Sequence, residues 1–428
     1  MTAAPRQMHL AAHFPVDDMT VRDDPRSGSQ IEFASFQHLA RTAERGLFDF
    51  LLLAGGPGPR EHDGPVHDLD VPGRPDPLTV LPALAAVTGR LGLAASVSAT
   101  FHEPYELARR FATLDHLSAG RSAWHVVTSA DAFTGENVRP AGRPDRAEGD
   151  ARTTEFVATA RELWDSWTPD GAPRPFAHHG RHFSAEGEFT VPRSPQGHPV
   201  VIRTADGTQD REFAAAAADV VLTRHATPQA GRAFCADVRS RLAKYGREPG
   251  ELRIMPGTGV VLGDSDAEAR ERAAAIRLQQ VSPQHAIAAL ERIWGRDLSS
   301  YDPDGPLPAC DPDPAAARAG HGDARAVAAR WRELSREKGL SLRETVIEAT
   351  GRHSFVGSPR TVAAEMTRRF ATEAADGFLL VPHRIPGGLD EFVDRVVPLL
   401  QERGVFRTAY TGSTLRSHLG FAAPVWKG

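Results

Sequence analysis

Cysteine is nearly absent. The 428 residues hold two, Cys235 and Cys310, too few for a disulfide framework or a cysteine-built zinc site. Both read as buried thiols. No run of about 18 apolar residues occurs, so no helix is expected to span a bilayer. Residues 1–8 lack the apolar centre of a secretory signal. Charge of one sign is scarce too. The 50 basic and 55 acidic residues leave a net charge of −5, which gives no electrostatic footprint for nucleic acid. No G-x-G-x-x-G follows the first apolar run, which speaks against a nicotinamide-binding sheet. Ser129 lacks the G-x-S-x-G elbow of a hydrolase nucleophile. The absences leave a soluble cytoplasmic enzyme as the expectation, with neither membrane nor nucleic acid as partner.

What is present is an ordinary core-forming composition, 41% hydrophobic, unlike that of a disordered chain. At ~150 residues per domain the length allows about three domains, but an α/β barrel can absorb it as one. Short apolar runs at 8–14, 48–54, 91–98, 122–129, 199–204, 220–223, 252–262 and 377–382 read as strands. The run FDFLLLA is apolar throughout, as a strand buried on both faces should be. Between the runs lie helical patterns at 31–46, 77–88, 104–117, 153–167, 209–218, 228–245, 267–281, 324–338, 359–372 and 389–401. Apolar residues there recur at three and four positions. Strands alternating with helices predict a parallel sheet, and eight units predict an α/β fold of the closed (β/α)8 TIM-barrel type. A doubly wound open sheet is the alternative. The chain reads as a single barrel domain, 1–428. Insertions interrupt it at 168–198, a Pro/Gly/His-rich loop with a short hairpin, and at about 282–358. A tail follows at 404–428. Residues 299–323, dense in Pro, Asp and Gly, read as a long mobile loop.

In such a barrel the chemistry sits at the carboxyl ends of the strands. That directs attention to residues 54–56, 96–100, 125–129, 203–208 and 224–225. His125 ends the fourth strand, where a neutral imidazole can hydrogen-bond a ligand or act as a general base. His9 and His13 share a face of the first strand, and only His13 is near its carboxyl end. Trp124 reads as packing. His178-His179-x-x-His182 has metal-like spacing but reads as a solvated loop, with no supporting cysteine. Asp302-x-Asp304-Gly305 lacks the distal Glu of a calcium loop and reads as a lid. Arg109-Arg110 and Arg368-Arg369 read as surface charge. No metal site is expected.

Longer motifs add a family resemblance. Residues 103–129 read EPYELARRFATLDHLSAGRSAWHVVTS; residues 155–167, EFVATARELWDSW; residues 193–199, RSPQGHP. Further on come PGTGVVLGDSDAE at 256–268 and FVDRVVPLLQERGVFRTAYTGSTLRSHLGF at 392–421. This order resembles the bacterial-luciferase-like flavin monooxygenases, nearest the nitrilotriacetate and dibenzothiophene-sulfone monooxygenase branch, from about residue 8 to 424. The resemblance implies a luciferase-like barrel with reduced FMN as co-substrate at its mouth. It implies a separate NAD(P)H-dependent flavin reductase, and dioxygen oxidising a small organic substrate. It also implies a homodimer or homotetramer formed through helices near the second and third units.

Carried over position by position, the flavin contacts change here. An Asp usual after the second strand is Gly55. Hydroxyls persist at Ser96, Ser98 and Thr100, and the Asn of the fourth strand is His125. A His and a Tyr beside the phosphate are replaced by Arg146 and Asp150. The Gln-Ala-Gly-x-Ser turn that holds the phosphate reads Arg203-Thr204-Ala205-Asp206-Gly207-Thr208-Gln209-Asp210. Gly207 still permits close backbone approach, Thr208 offers a hydroxyl, and Arg146 and Arg203 offer charge-assisted bonds. Asp150, Asp206 and Asp210 repel a phosphate unless an arginine pairs with them. Two other readings stay open: a barrel that has become flavin-independent or deazaflavin-dependent, and a catalytically silent partner subunit. The Ala-, Arg-, Gly- and Pro-rich composition matches a GC-rich bacterial genome and allows a role in specialised metabolism. The pocket is expected to be capped by the two insertions, where function varies on a fixed scaffold.

Overall fold

The computed structural model describes residues 6–14, 28–54, 75–128, 146–168, 170–205, 207–225, 227–313, 323–351 and 354–426. Eight parallel strands close on themselves. The first four are β1 (His9–Phe14), β2 (Phe50–Leu53), β3 (Gly92–Ser98) and β4 (Ser122–Val127). An antiparallel hairpin, β5 (Pro175–His179) and β6 (Ser184–Glu188), then intervenes. The barrel resumes with β7 (Val200–Thr204), β8 (Val220–Thr223) and β9 (Arg253–Leu262). After the short β10 (Ser354–Gly357) it ends with β11 (Gly377–Leu380). Pairing runs β1–β2–β3–β4–β7–β8–β9–β11 and returns to β1. The second half of β9 leaves the barrel and pairs with β10. The eight barrel strands are the eight apolar runs of the sequence.

Around the barrel lie α1 (Phe33–Arg45), α2 (Pro77–Ala85), α3 (Pro104–Leu117), α4 (Arg146–Asp165), α5 (Thr208–Ala217) and α6 (Pro228–Leu242). They are followed by α7 (Asp266–Gln280), α8 (Pro283–Trp294), α9 (Ala324–Lys338), α10 (Leu342–Thr350) and α11 (Pro359–Ala371). The strands are buried on both faces, one against the helices and one inward. Phe50, Leu52, Ile202, Leu222, Met255 and Leu379 fill the barrel interior, with alanines at positions 11, 94 and 123 making room for them.

The lower end of the barrel is closed by the C-terminal tail. Leu415 and Leu419, from and just after α14 (Leu415–His418), join the interior cluster. Buried carboxylates at this end tie strand starts to their neighbours. Asp49 accepts the Leu10 N–H, Asp219 the Val201 N–H and Asp376 the Ile254 N–H. Arg407 pairs with Asp49, Arg416 with Asp219, and both Arg239 and Arg6 with Asp376. His9 belongs to this set. Its Nε2 accepts from Arg253 Nε at 3.1 Å, so its Nδ1 carries the proton facing Asp49 Oδ1 at 3.2 Å.

Several expectations need correction. The single final helix is two, α12 (Asp390–Arg395) and α13 (Val397–Glu402); Pro398 in the first turn of α13 has no N–H to continue the ladder. Helices α8 and α10 and strand β10 arise where the sequence reading assigned no element. With α9 they carry their own core, built on Leu290, Trp294, Ala328, Trp331 and Val346. Cys235 is buried, but Cys310 is exposed. Arg369 is also buried rather than a surface charge. It pairs with Glu365 and lies 5.1 Å from the Phe355 ring centre. No described helix is long and apolar enough to cross a membrane.

Candidate active site

Strand parity builds the mouth of the barrel. Side chains two residues apart share a face, so the interior residues Ala94, Ala123 and Ile202 are followed inward by Ser96, His125 and Thr204. Ser96 and His125 are register partners of β3 and β4. Ser96 Oγ lies 2.8 Å from His125 Nδ1, and Thr204 Oγ1 lies 3.0 Å from Nε2. One imidazole therefore joins three strands. Its pKa is pushed down to about 3 by burial, then by the charges of Arg203 and His13. The ring is neutral near pH 7, with one N–H and one lone pair. It donates to one hydroxyl and accepts from the other. The first hydroxyl keeps its own O–H to donate; the second keeps lone pairs to accept. The trio thus offers a ligand one donor and one acceptor, exchanged if the tautomer exchanges.

Of the two roles expected for His125, hydrogen bond to a ligand and general base, this geometry favours the first. A group with pKa near 3 holds too little proton affinity for a general base at neutral pH, and both of its nitrogens are already engaged. Its chemistry is hydrogen bonding. His13 follows Ala11 on the inward face of β1, close enough for its charge to act on His125. Ser98 is buried, its Oγ accepting the Thr100 N–H at 3.2 Å and its carbonyl facing His102 Nδ1 at 2.9 Å. Trp124 points outward between Phe111 and Phe156 and donates Nε1–H to the Val97 carbonyl at 3.1 Å. It is packing, as its sequence reading holds.

A second group lies on the outer face, between β7 and the helices. Arg203 is 4% exposed. Its Nη2 donates to Asp210 Oδ1 at 2.8 Å and to Thr128 Oγ1 at 3.2 Å, and lies 3.8 Å from Asp150 Oδ1. Its Nη1 donates to the Val126 carbonyl at 3.2 Å, and its guanidinium carbon stands 5.1 Å from the Phe213 ring centre. Its Nε is buried with no hydrogen-bond partner among the described residues. Asp210 is the third residue of α5, and its Oδ2 accepts the Gly207 N–H at 3.2 Å. The arginine, the helix start and the two carboxylates form one seat of anion-binding type, with a carboxylate already in it. Thr208 is exposed at the first position of α5.

The structure thus groups the expected residues in two sets. Ser96 and His125 meet inside the barrel; Arg203, Asp150 and Gly207 meet behind it, through Asp210. Arg146 opens α4, but its side chain lies outside the described residues, as do Gly55, Ser129 and Asp206. Thr204 was missed as a site residue, although the two-residue step from Ile202 marks it. The His178–His182 cluster is not a solvated loop. His178 and His179 end β5, and His178 lies between Glu155 at 3.3 Å and Glu162 at 2.9 Å. The His182 and Phe183 N–H groups donate to the Glu155 carboxylate. The hairpin is docked on α4 by these bonds. Among the described residues no group of three or more His, Cys, Asp or Glu is placed to hold a metal.

Comparison with known proteins decides the family. The luciferase-like monooxygenase family matches residues 18–377. The chain belongs to that family. Nitrilotriacetate monooxygenase component A of Aminobacter aminovorans is 36% identical over 427 residues, covering 94% of this chain and 92% of its own. Dibenzothiophene-sulfone monooxygenase of Rhodococcus erythropolis (strain XP) is 35% identical over 461 residues, covering 99% and 98%. Among solved structures, DmoA from Hyphomicrobium sulfonivorans matches with a TM-score of 0.81 at 26% identity, covering 97% of this chain and 92% of that one. The branch expected from the motifs is the branch found. The chain is a flavin-dependent monooxygenase on the barrel that its alternating pattern predicts.

Proposed function

We propose that this chain is the oxygenating component of a two-component system. It takes reduced FMN from a separate NAD(P)H-dependent flavin reductase and uses dioxygen to oxidise a small organic substrate. The observation that carries this reading is the neutral Ser96–His125–Thr204 chain inside the mouth of a luciferase-like barrel.

The flavin has two halves for the residues to hold. Its ring carries both carbonyl acceptors and N–H donors along one edge, and the hydroxyl–imidazole–hydroxyl chain offers a donor and an acceptor to match. Its phosphate needs a seat with spare positive charge, and among the described residues the seat behind β7 has none to spare. Ring and site fit; phosphate and site do not fit as the side chains stand. Reduced FMN, when bound, supplies the two electrons that let dioxygen place one oxygen atom in the substrate and leave the other as water.

The chain's own residues do the rest. Ser96 and Thr204 orient the flavin ring through hydroxyl bonds. His125 fixes both hydroxyls, and its tautomer sets which of Ser96 Oγ and Thr204 Oγ1 donates to the ring and which accepts. His13, across the mouth, is the second candidate contact for ring or substrate. The hairpin in 168–198 and the helices in 282–358 cover the approach of the substrate. Phe183 of the hairpin packs on Phe156, which packs on Trp124, immediately before His125. Arg152 connects the same Phe183 ring to the Ala99 carbonyl past β3. Hairpin position and mouth geometry are therefore mechanically joined.

The test is dioxygen uptake by the purified chain with FMN, NADH and a flavin reductase, over a panel of organosulfur, aminopolycarboxylate and heterocyclic compounds. Oxygen-18 incorporated into one compound, dependent on both protein and reduced flavin, is the expected result. No incorporation from any compound, with uptake equal to that of the reductase alone, counts against the proposal.

A further inference from the structure

The seat behind β7 is built as anion sites are built. Arg203 is 96% buried, with a side chain 5% exposed, and it lies against the first turn of a ten-residue helix. The first N–H groups of a helix have no partner within it, and the helix dipole favours a negative charge there. The helix follows a barrel strand at its carboxyl end, where barrel enzymes hold phosphates. A second, independent sign is the Arg203 Nε, buried and unpartnered beside that turn. Yet Asp210 already fills the seat. One of its oxygens takes Arg203 and the other takes the Gly207 N–H. Asp150 adds a further carboxylate 3.8 Å from the same guanidinium. Among the described residues, Arg203 thus faces two carboxylates before any ligand arrives.

We propose that Asp210 is a resident substitute for the flavin phosphate, so that this chain selects its flavin by the ring and hardly by the phosphate. The inference rests on the flavin reading above. A phosphate entering the seat must take Arg203 from Asp210 and then sit beside two carboxylates. Most of the attraction it would gain from the arginine is lost to that exchange. An unphosphorylated flavin of the riboflavin type leaves the Arg203–Asp210 pair intact and meets the same Ser96, His125 and Thr204. Asp210 is therefore a specificity-determining residue that lowers the preference for FMN.

The test is an anaerobic fluorescence titration of the full chain with photoreduced FMN and photoreduced riboflavin, for wild type and for Asp210→Asn. Wild type should bind the two flavins with affinities within about threefold of each other, because the charge-assisted bond that a phosphate would make is already made internally. Asp210→Asn should tighten FMN by about tenfold or more, equivalent to about 1.4 kcal/mol, and leave riboflavin nearly unchanged. Asp150→Asn, which leaves the Arg203–Asp210 pair in place, should shift FMN the same way by less. It serves as the second variant if Asp210→Asn unfolds. Inorganic phosphate should compete with FMN in Asp210→Asn more than in wild type. A wild-type preference for FMN above about a hundredfold, or a ratio that neither variant changes, overturns this inference alone. Failure of both flavins to bind any of the three proteins overturns the flavin reading, and this inference with it.

Discussion

The two ends of the barrel use the same residue types to opposite effect. At the lower end Asp49, Asp219 and Asp376 are each met by an arginine and a strand N–H. At the mouth, among the described residues, two aspartates lie against one arginine whose Nε is unpartnered; at the lower end Asp115 Oδ2 and Arg407 Nη1 are unpartnered as well. His9 at the lower end is held between Asp49 and Arg253, whereas the hydrogen-bond partners of His125 among the described residues are two hydroxyls. The lower end is not uniform. Asp115 has Gln196 and Ser122 for partners and no arginine, and burial raises its pKa. The difference teaches a division of labour. Buried charges that are paired and hydrogen-bonded hold the strands in place. At the mouth the neutral Ser96–His125–Thr204 chain keeps a donor and an acceptor that a ligand can complete.

The largest expected effect comes from breaking a pair at the lower end. Arg407→Ala leaves Asp49 fully buried without its cation and should cost about 3–5 kcal/mol of stability. Chemical denaturation measures this, and flavin affinity of the folded fraction should not change. Next is Leu415→Ala, which opens a cavity in the interior plug. It should cost about 3 kcal/mol, again without effect on flavin. If either variant loses flavin binding while still folded, the division between the two ends is wrong.

Acid sharpens the contrast. Burial works to raise the Asp49 pKa, but Arg407 and His9 outweigh it and bring it to about 2 from the ordinary 3.8. The depressed value stabilises the fold above pH 3.8, and that share is lost as pH falls from 3.8 towards 2. It amounts to about 2 kcal/mol at 1.36 kcal/mol per unit. Asp49→Asn should flatten that part of the acid limb. His125 works over a higher range. Below the ordinary 6.5 the unfolded chain takes up a proton that the folded imidazole refuses until about 3. Stability therefore falls as pH drops through that window, and His125→Gln should remove this component. The smallest expected effect on stability is that of His125→Gln near pH 7, below about 1 kcal/mol.

Legibility in the sequence followed the same divide. The barrel strands were readable because each is buried on both faces and so nearly all apolar, as in FLLL of β2 and VVLT of β8. Helix α8 was not read, although Ser282, Pro283 and Gly295 are the cap signals a helix start and stop require. It begins three residues after α7 ends, so the two patterns run together. The lower-end carboxylates carry no local signal. Asp49 and Arg407 stand 358 residues apart, and only the closed barrel brings them together. At the mouth, His125 and Ser96 were legible from their place at the carboxyl ends of strands and from the family motif. The pairing of Arg203 with Asp210 was legible only as a sign of charge. Which carboxylate takes the arginine depends on the turn of the chain into α5.

On the proposal above, the Ser96–His125–Thr204 chain receives a reduced flavin ring while the lower end holds the barrel shut. The most direct measurement is anaerobic calorimetry of photoreduced FMN with wild type, His125→Ala and Gln196→Ala. Saturable binding to wild type at one site per chain is expected. A loss of about tenfold or more is expected in His125→Ala, and wild-type affinity in Gln196→Ala, whose side chain bonds Asp115, Ser122 and Arg416 at the lower end. Equal affinity in wild type and His125→Ala, or an equal loss in the two variants, would contradict the proposal.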